Sequence, residues 1–189
     1  MKQRFIELLS SLDRPGVDDL LDWMENKSDF FTAPASTQYH GACEGGLLEH
    51  SLAVYDHLCV IADTHKNALP TVYNSTLILV ALLHDICKAN FYTVSMRNAK
   101  NETTGQWEKV PFYKIEDKFP YGHGEKSVFI AREFIELTVE ETMAIRWHMG
   151  AFGAESYAER QTLNAAMERF PMILALQMAD LAAAYFDKK

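Results

Sequence analysis

One run constrains this chain more than any other: LILVALLHDICK, from Leu77 to Lys88. It is apolar on every side as far as His84, and a helix of that kind belongs inside a protein. The run then places His84 and Asp85 side by side in that interior. Moving an unpaired carboxylate out of water costs several kcal/mol or more, so Asp85 must be paired, protonated or bound to a metal. With a histidine beside it, a metal is the economical answer. Adjacent positions on a helix point about 100° apart, so an imidazole nitrogen and a carboxylate oxygen at a helix edge converge on one ion. Lys88, one turn on, falls on nearly the same face. The pattern predicts one helix after a break at Pro70, running to Cys87 or Lys88.

With 189 residues, 48% of them hydrophobic, the chain suits a single domain over 1–189 with a substantial core. Packing helices are expected over 1–35, the main body over 40–186 and a hairpin insertion over 91–118. No run approaches the roughly 18–20 apolar residues that span a bilayer, and MKQRFIELLSSLDRPG lacks a signal-peptide core, so the expected setting is cytoplasmic, with no membrane partner. Cys43, Cys59 and Cys87 are odd in number and lack C-x-x-C spacing, which suits reduced thiols. Cys59 and Cys87 read as core residues. A net charge of −8 argues against capture of duplex nucleic acid, whose phosphates demand clustered Lys and Arg. A small substrate is favoured, and a local basic spot would still admit a nucleotide or a strand end.

Elsewhere the apolar spacing is mostly helical. Phe5, Ile6, Leu8, Leu9 and Leu12 form a stripe closed by Pro15 and Gly16, and Leu20, Leu21, Trp23 and Met24 begin another. After a small-residue loop holding His40, a helix opens near Leu47 with a core stripe through Leu48, Leu52, Tyr55, Cys59 and Ala62, and His50 near its start. Residues 91–96 and 107–115 are aromatic and β-branched, predicting a hairpin whose long loop contains RNAKNETTG, with Pro111 at an edge or bulge. Its cations Arg97, Lys100, Lys109, Lys114 and Lys118 suit either a charged lid or a solvated surface ribbon. Helices are predicted from His123 to Ile135, from a Thr138/Glu141 capping box to about Gly150 with His148 in the last turn, over Thr162–Glu168, and from Pro171 to Tyr185.

A lone histidine in an apolar helix is ordinarily a hydrogen-bonded core residue. Here His50, His84 with Asp85, His123, His148 and Asp180 all sit at helix ends or on helices too apolar to hold them unpaired. Four imidazoles and two carboxylates suit one or two divalent ions such as Mn, Fe, Ni or Zn, and offer too little oxygen for calcium.

In the blocks GGLLEHS, LLHDICK, YGHGEKS, IRWHMG and LALQMADLAA the chain resembles the HD-domain superfamily of metal-dependent phosphohydrolases, in its binuclear branch. The resemblance covers roughly residues 40–186. It implies an all-α bundle of seven to nine helices with a small β-hairpin insertion. His50, His84, Asp85 and Asp180 would hold a first metal, and Asp85 would bridge to a second held by His123 and His148. It further implies hydrolysis of a phosphomonoester or phosphodiester, a nucleotide or similar small molecule or a short oligonucleotide, by metal-activated hydroxide. Asp85 and Lys88 would be catalytic. Lys88 would also bind substrate, the alternative being a lysine that complements the helix dipole; beyond the resemblance, Lys126 and Arg146 are further candidate anion contacts, Glu49 and Glu125 read either as surface carboxylates or as outer partners of the imidazoles, and His40 is a candidate outer partner. His57 and His65 are read as structural and solvated. The same ligand set also occurs in mixed-valence di-iron oxygenases of this fold and would serve a non-catalytic nucleotide-binding module.

Overall fold

In the computed structural model residues 1–69 and 74–187 are described, so the break expected at Pro70 lies outside them. The chain is mainly helical, with one two-stranded antiparallel ribbon. Helices α1 (Lys2–Ser10) and α2 (Val17–Asp22) come first, followed by a π-helical turn over Trp23–Lys27 and a loop. Then come α3 (Gly46–Thr64), α4 (Asn74–Leu83) and a 3-10 turn over Ile86–Lys88. The ribbon β1 (Tyr92–Lys100) and β2 (Trp107–Ile115) precedes α5 (His123–Arg132), α6 (Val139–Trp147), a 3-10 turn over Gly150–Gly153, α7 (Tyr157–Arg169) and α8 (Met172–Phe186).

Every residue from Thr76 to Leu83 is buried, as its uniform apolarity requires. Helix α4 lies against α3 and α6, and α8 packs on the same two helices. Helix α3 is therefore covered on more than the expected side: Leu47, Ser51, Val54 and Leu58 are buried alongside Leu48 and Leu52, while Tyr55, Cys59 and Ala62 are half-buried. Cys59 is thus at the core's edge, a correction to its reading as a core residue. Two glycines permit close backbone approach. A β-carbon at Gly46 would come within 2.0 Å of the Gly41 carbonyl oxygen, and one at Gly124 within 2.1 Å of that of Arg146. The first seats the start of α3 on the preceding loop, and the second lets α5 press onto α6.

Several boundaries differ from those the spacing predicts. Helix α4 stops at Leu83 rather than continuing to Lys88, although the His84 N–H still donates to the Val80 carbonyl. The ribbon is longer than expected and its loop shorter, because Arg97 to Lys100 continue β1 and pair with Val110 to Trp107. Polar residues are tolerated there since much of the ribbon is exposed. Pro111 pairs in register with Met96, without a bulge; both strands of a two-stranded ribbon are edges, where proline is allowed. Helix α5 ends at Arg132, short of Ile135. The predicted Thr138/Glu141 box opens α6, and a second box, Ser156 with Glu159, starts α7 earlier than Thr162. Among the described residues no helix is long and apolar enough to cross a membrane.

Candidate metal centre

Four helix ends and one helix middle deliver the polar groups of the interior. His84 and Asp85 lie where α4 unwinds after Leu83: Asp85 has φ −109° and ψ 16° and leads into the 3-10 turn. His50 comes from the first turns of α3, His123 opens α5, His148 closes α6 and Asp180 lies along α8.

The two oxygens of Asp85 face different partners. Its Oδ2 lies 3.4 Å from His84 Nε2, 3.6 Å from His50 Nε2 and 2.6 Å from Lys88 Nζ. Its Oδ1 lies 2.7 Å from His123 Nε2 and 3.6 Å from His148 Nε2. Asp180 Oδ1 is 3.0 Å from His50 Nε2 and 4.0 Å from His84 Nε2. Ligand atoms fall within 4.8 Å of one another in three overlapping groups: His50, His84 and Asp180; His84, Asp85 and His148; Asp85, Cys87 and His123. These groups could hold a metal. The imidazoles of His84 and His148 are held by the same device, Nδ1–H donating to the carbonyl three residues back, Ala81 at 2.8 Å and Ile145 at 2.7 Å. A carbonyl only accepts, so Nδ1 carries the proton and Nε2 faces the cluster. His148 Nε2 is buried there without a hydrogen bond, which a buried polar nitrogen ordinarily avoids. An orphaned nitrogen among nitrogen and carboxylate donors is what a transition-metal site requires, so the residues fit such an ion.

The electrostatics are those of negative charge held in the interior. Burial would raise Asp85, but Lys88 and His84, with a hydrogen bond from His123, hold it well below the usual carboxylate range. Asp180 is likewise held low, burial being outweighed by the His50 hydrogen bond and the neighbouring imidazoles. Burial drives His50 and His148 down, keeping them neutral. Burial lowers His84, but the charge and hydrogen bond of Asp85 together with Asp180 and the Ala81 carbonyl raise its pKa overall; burial lowers His123 too, but Cys87 and Asp85 together push it up to about 10. Any divalent ion entering here must displace those protons.

The remaining sequence candidates are placed as follows. Lys88, with 13% of its side chain exposed, sits on Asp85. Lys126 and Arg146 are engaged elsewhere. The Lys126 ammonium binds Asp117 and lies 4.9 Å from the Phe91 ring centre, fastening the ribbon's base to α5. The Arg146 guanidinium pairs with Glu125 and stacks 3.9 Å from the Trp147 ring centre, lining a surface groove with Tyr121 and Phe129. Arg146, two residues before His148, leaves α6 on nearly the opposite side, whereas Lys126, three residues after His123, shares its side of α5 and is drawn away by Asp117. His40 packs its ring 4.7 Å from that of His50, burial pushing its pKa down to about 4, and its Nε2 is buried without a hydrogen bond. His57 pairs with Asp187 at 2.9 Å, and His65 is an exposed end of α3. Cys87 is buried as expected, but its Sγ lies 3.3 Å from His123 Nδ1. Nothing in its spacing signals that contact, which exists only because α5 docks on the 3-10 turn.

No curated protein and no solved structure matches the chain. The family model of the HD domain matches residues 47–170, a stretch containing His50, His84, Asp85, His123 and His148 and ending before Asp180. With two thirds of its length so matched, and the adjacent His84 and Asp85 at the centre of the buried cluster, the chain belongs to the HD domain family.

Proposed function

We propose that the protein is a cytoplasmic, metal-dependent phosphohydrolase with a two-ion centre, cleaving a phosphomonoester or phosphodiester of a nucleotide or similar small molecule. The observation that carries this reading is the division of Asp85, one oxygen toward His50 and His84 and the other toward His123 and His148. A carboxylate so shared suits a bridge between two cations. His50, His84, Asp85 and Asp180 would hold the first, and Asp85, His123 and His148 the second. Divalent ions bound there would supply Lewis acidity for phosphoryl oxygens and acidify bound water toward neutrality.

The chain's own residues do the rest. Ala81 and Ile145 fix the histidine tautomers through their carbonyls. His50, His84, Asp85 and His148 are almost wholly buried, while 34% of the His123 side chain and 16% of Asp180 reach solvent. A phosphate therefore approaches on the His123 side, its remainder outside. Lys88 is charged, its pKa raised by Asp85 against the effect of burial, and is placed to turn from that carboxylate to a phosphate oxygen.

Elemental analysis of gently purified protein, followed by a phosphoester panel with the metal found, tests the reading. About two equivalents of a transition metal and turnover of at least one phosphoester are expected. Absence of bound metal and of metal-stimulated hydrolysis overturns it, and substrate-dependent oxygen uptake by the iron-loaded protein would favour the oxygenase class.

A further inference from the structure

His84 and His148 are each aimed by a carbonyl three residues back in their own helix. His123 has no such anchor. It is the first residue of α5, and Pro120, three residues before it, lies outside any helix. Its Nδ1 meets Cys87 Sγ at 3.3 Å while its Nε2 lies 2.7 Å from Asp85 Oδ1. The Cys87 backbone is tied to the same helix, its N–H donating to Ser127 Oγ at 3.3 Å. The 3-10 turn that follows Asp85 thus grips α5 at two successive points, and the thiol is 4% exposed. In the same pocket His148 Nε2 is buried and unpartnered, marking the place that a ligand would fill.

We infer that Cys87 is the positioning residue for His123: its sulfur accepts the Nδ1–H, presents Nε2 to the second ion and sets that ion's affinity. This rests on the two-ion reading above. Sulfur is a weak acceptor, so the second site is held less firmly than the first, whose His84 is locked by a carbonyl. Loss of an outer partner of a ligating histidine lowers metal affinity about 10- to 100-fold, and here the loss falls on one site only.

The test uses the full chain and its Cys87→Ala variant, with Mn2+ and Co2+ titrated into metal-free protein and His123→Ala as the benchmark for second-site loss. Expected are unchanged affinity for the first ion and at least about tenfold weaker binding of the second. Nitrogen-15 imidazole spectra of the metal-free wild type should show a His123 proton on Nδ1 as well as the Nε2 proton that Asp85 accepts, a measurement that needs no variant to fold. Unchanged affinity for the second ion in Cys87→Ala, equal loss of both, or a proton on Nε2 alone overturns the assignment. So does a sulfur-to-cobalt charge-transfer band, which would make Cys87 itself a ligand. If the wild type takes up fewer than two ions, the two-ion reading fails, while the imidazole spectra still decide what Cys87 does to His123.

Discussion

Glu141 is wholly buried, and the two helices that end at the cluster, α4 and α6, both begin on it. Its carboxylate accepts from Arg14 at 2.6 and 2.8 Å, from the Thr76 hydroxyl at 3.0 Å and from the Thr138 N–H at 2.9 Å. Thr76 is in the first turn of α4, which leads to His84, and Thr138 caps α6, which leads to His148. Glu141→Ala leaves Arg14, only 20% exposed, without its partner. Breaking a buried pair costs about 3–5 kcal/mol, the lost capping contacts being part of the same network. Against a total stability of roughly 5–15 kcal/mol that is a large fraction. At roughly 2–4 °C per kcal/mol for a chain of this size, Tm should fall by about 6–20 °C. Burial raises the Glu141 pKa, but the Arg14 hydrogen bonds and the Thr138 N–H bring it below its ordinary value. A depressed folded-state pKa gives stability that is complete above the unfolded value and is lost as pH falls from there through the folded one. Wild-type Tm should therefore decline below about pH 4.5 with a contribution that Glu141→Gln lacks. Seven residues of helix, about 10 Å, separate Glu141 from His148, so the folded variants should keep metal content and turnover. Circular dichroism melts at pH 7 and pH 4 measure this; a Tm within about 2 °C of wild type for Glu141→Ala would refute the assigned role.

Asp85→Ala should abolish metal binding and turnover together, since one side chain faces both imidazole pairs; plasma emission analysis that still finds two metal equivalents would contradict the bridge. Lys88→Ala should keep both ions and lower kcat by about 100- to 1000-fold, as loss of a charge-stabilising donor does; unchanged steady-state kinetics would reject its contact with substrate. His123→Ala or His148→Ala should remove the second ion and spare the first, and equilibrium dialysis showing two-ion stoichiometry in either variant would defeat the division of Asp85.

The helical class and the polar set at its centre are legible because water punishes buried charge so heavily: six ionisable groups placed in apolar helices must meet something. The break after Leu83 is not legible. Every residue from His84 to Lys88 tolerates a helix, yet the chain leaves it where Asp85 faces His84's partners and those of His123 at once. Local propensity, worth tenths of a kcal/mol per residue, yields there. The same reasoning explains Lys126 and Arg146. Basic residues near ligand blocks look like phosphate contacts in one dimension, but Arg146 faces nearly opposite to His148 and pairs with Glu125, and Lys126, though on the His123 side of α5, is taken up by Asp117. Cys87 errs in the opposite direction. Two residues after Asp85 in a greasy run, it reads as filling, and only the docking of α5 on the 3-10 turn brings His123 to its sulfur. In this chain charge-bearing residues announce that a centre exists, whereas the residues that aim it are carbonyls and a thiol, groups whose part is set by the backbone path and leaves no mark on spacing.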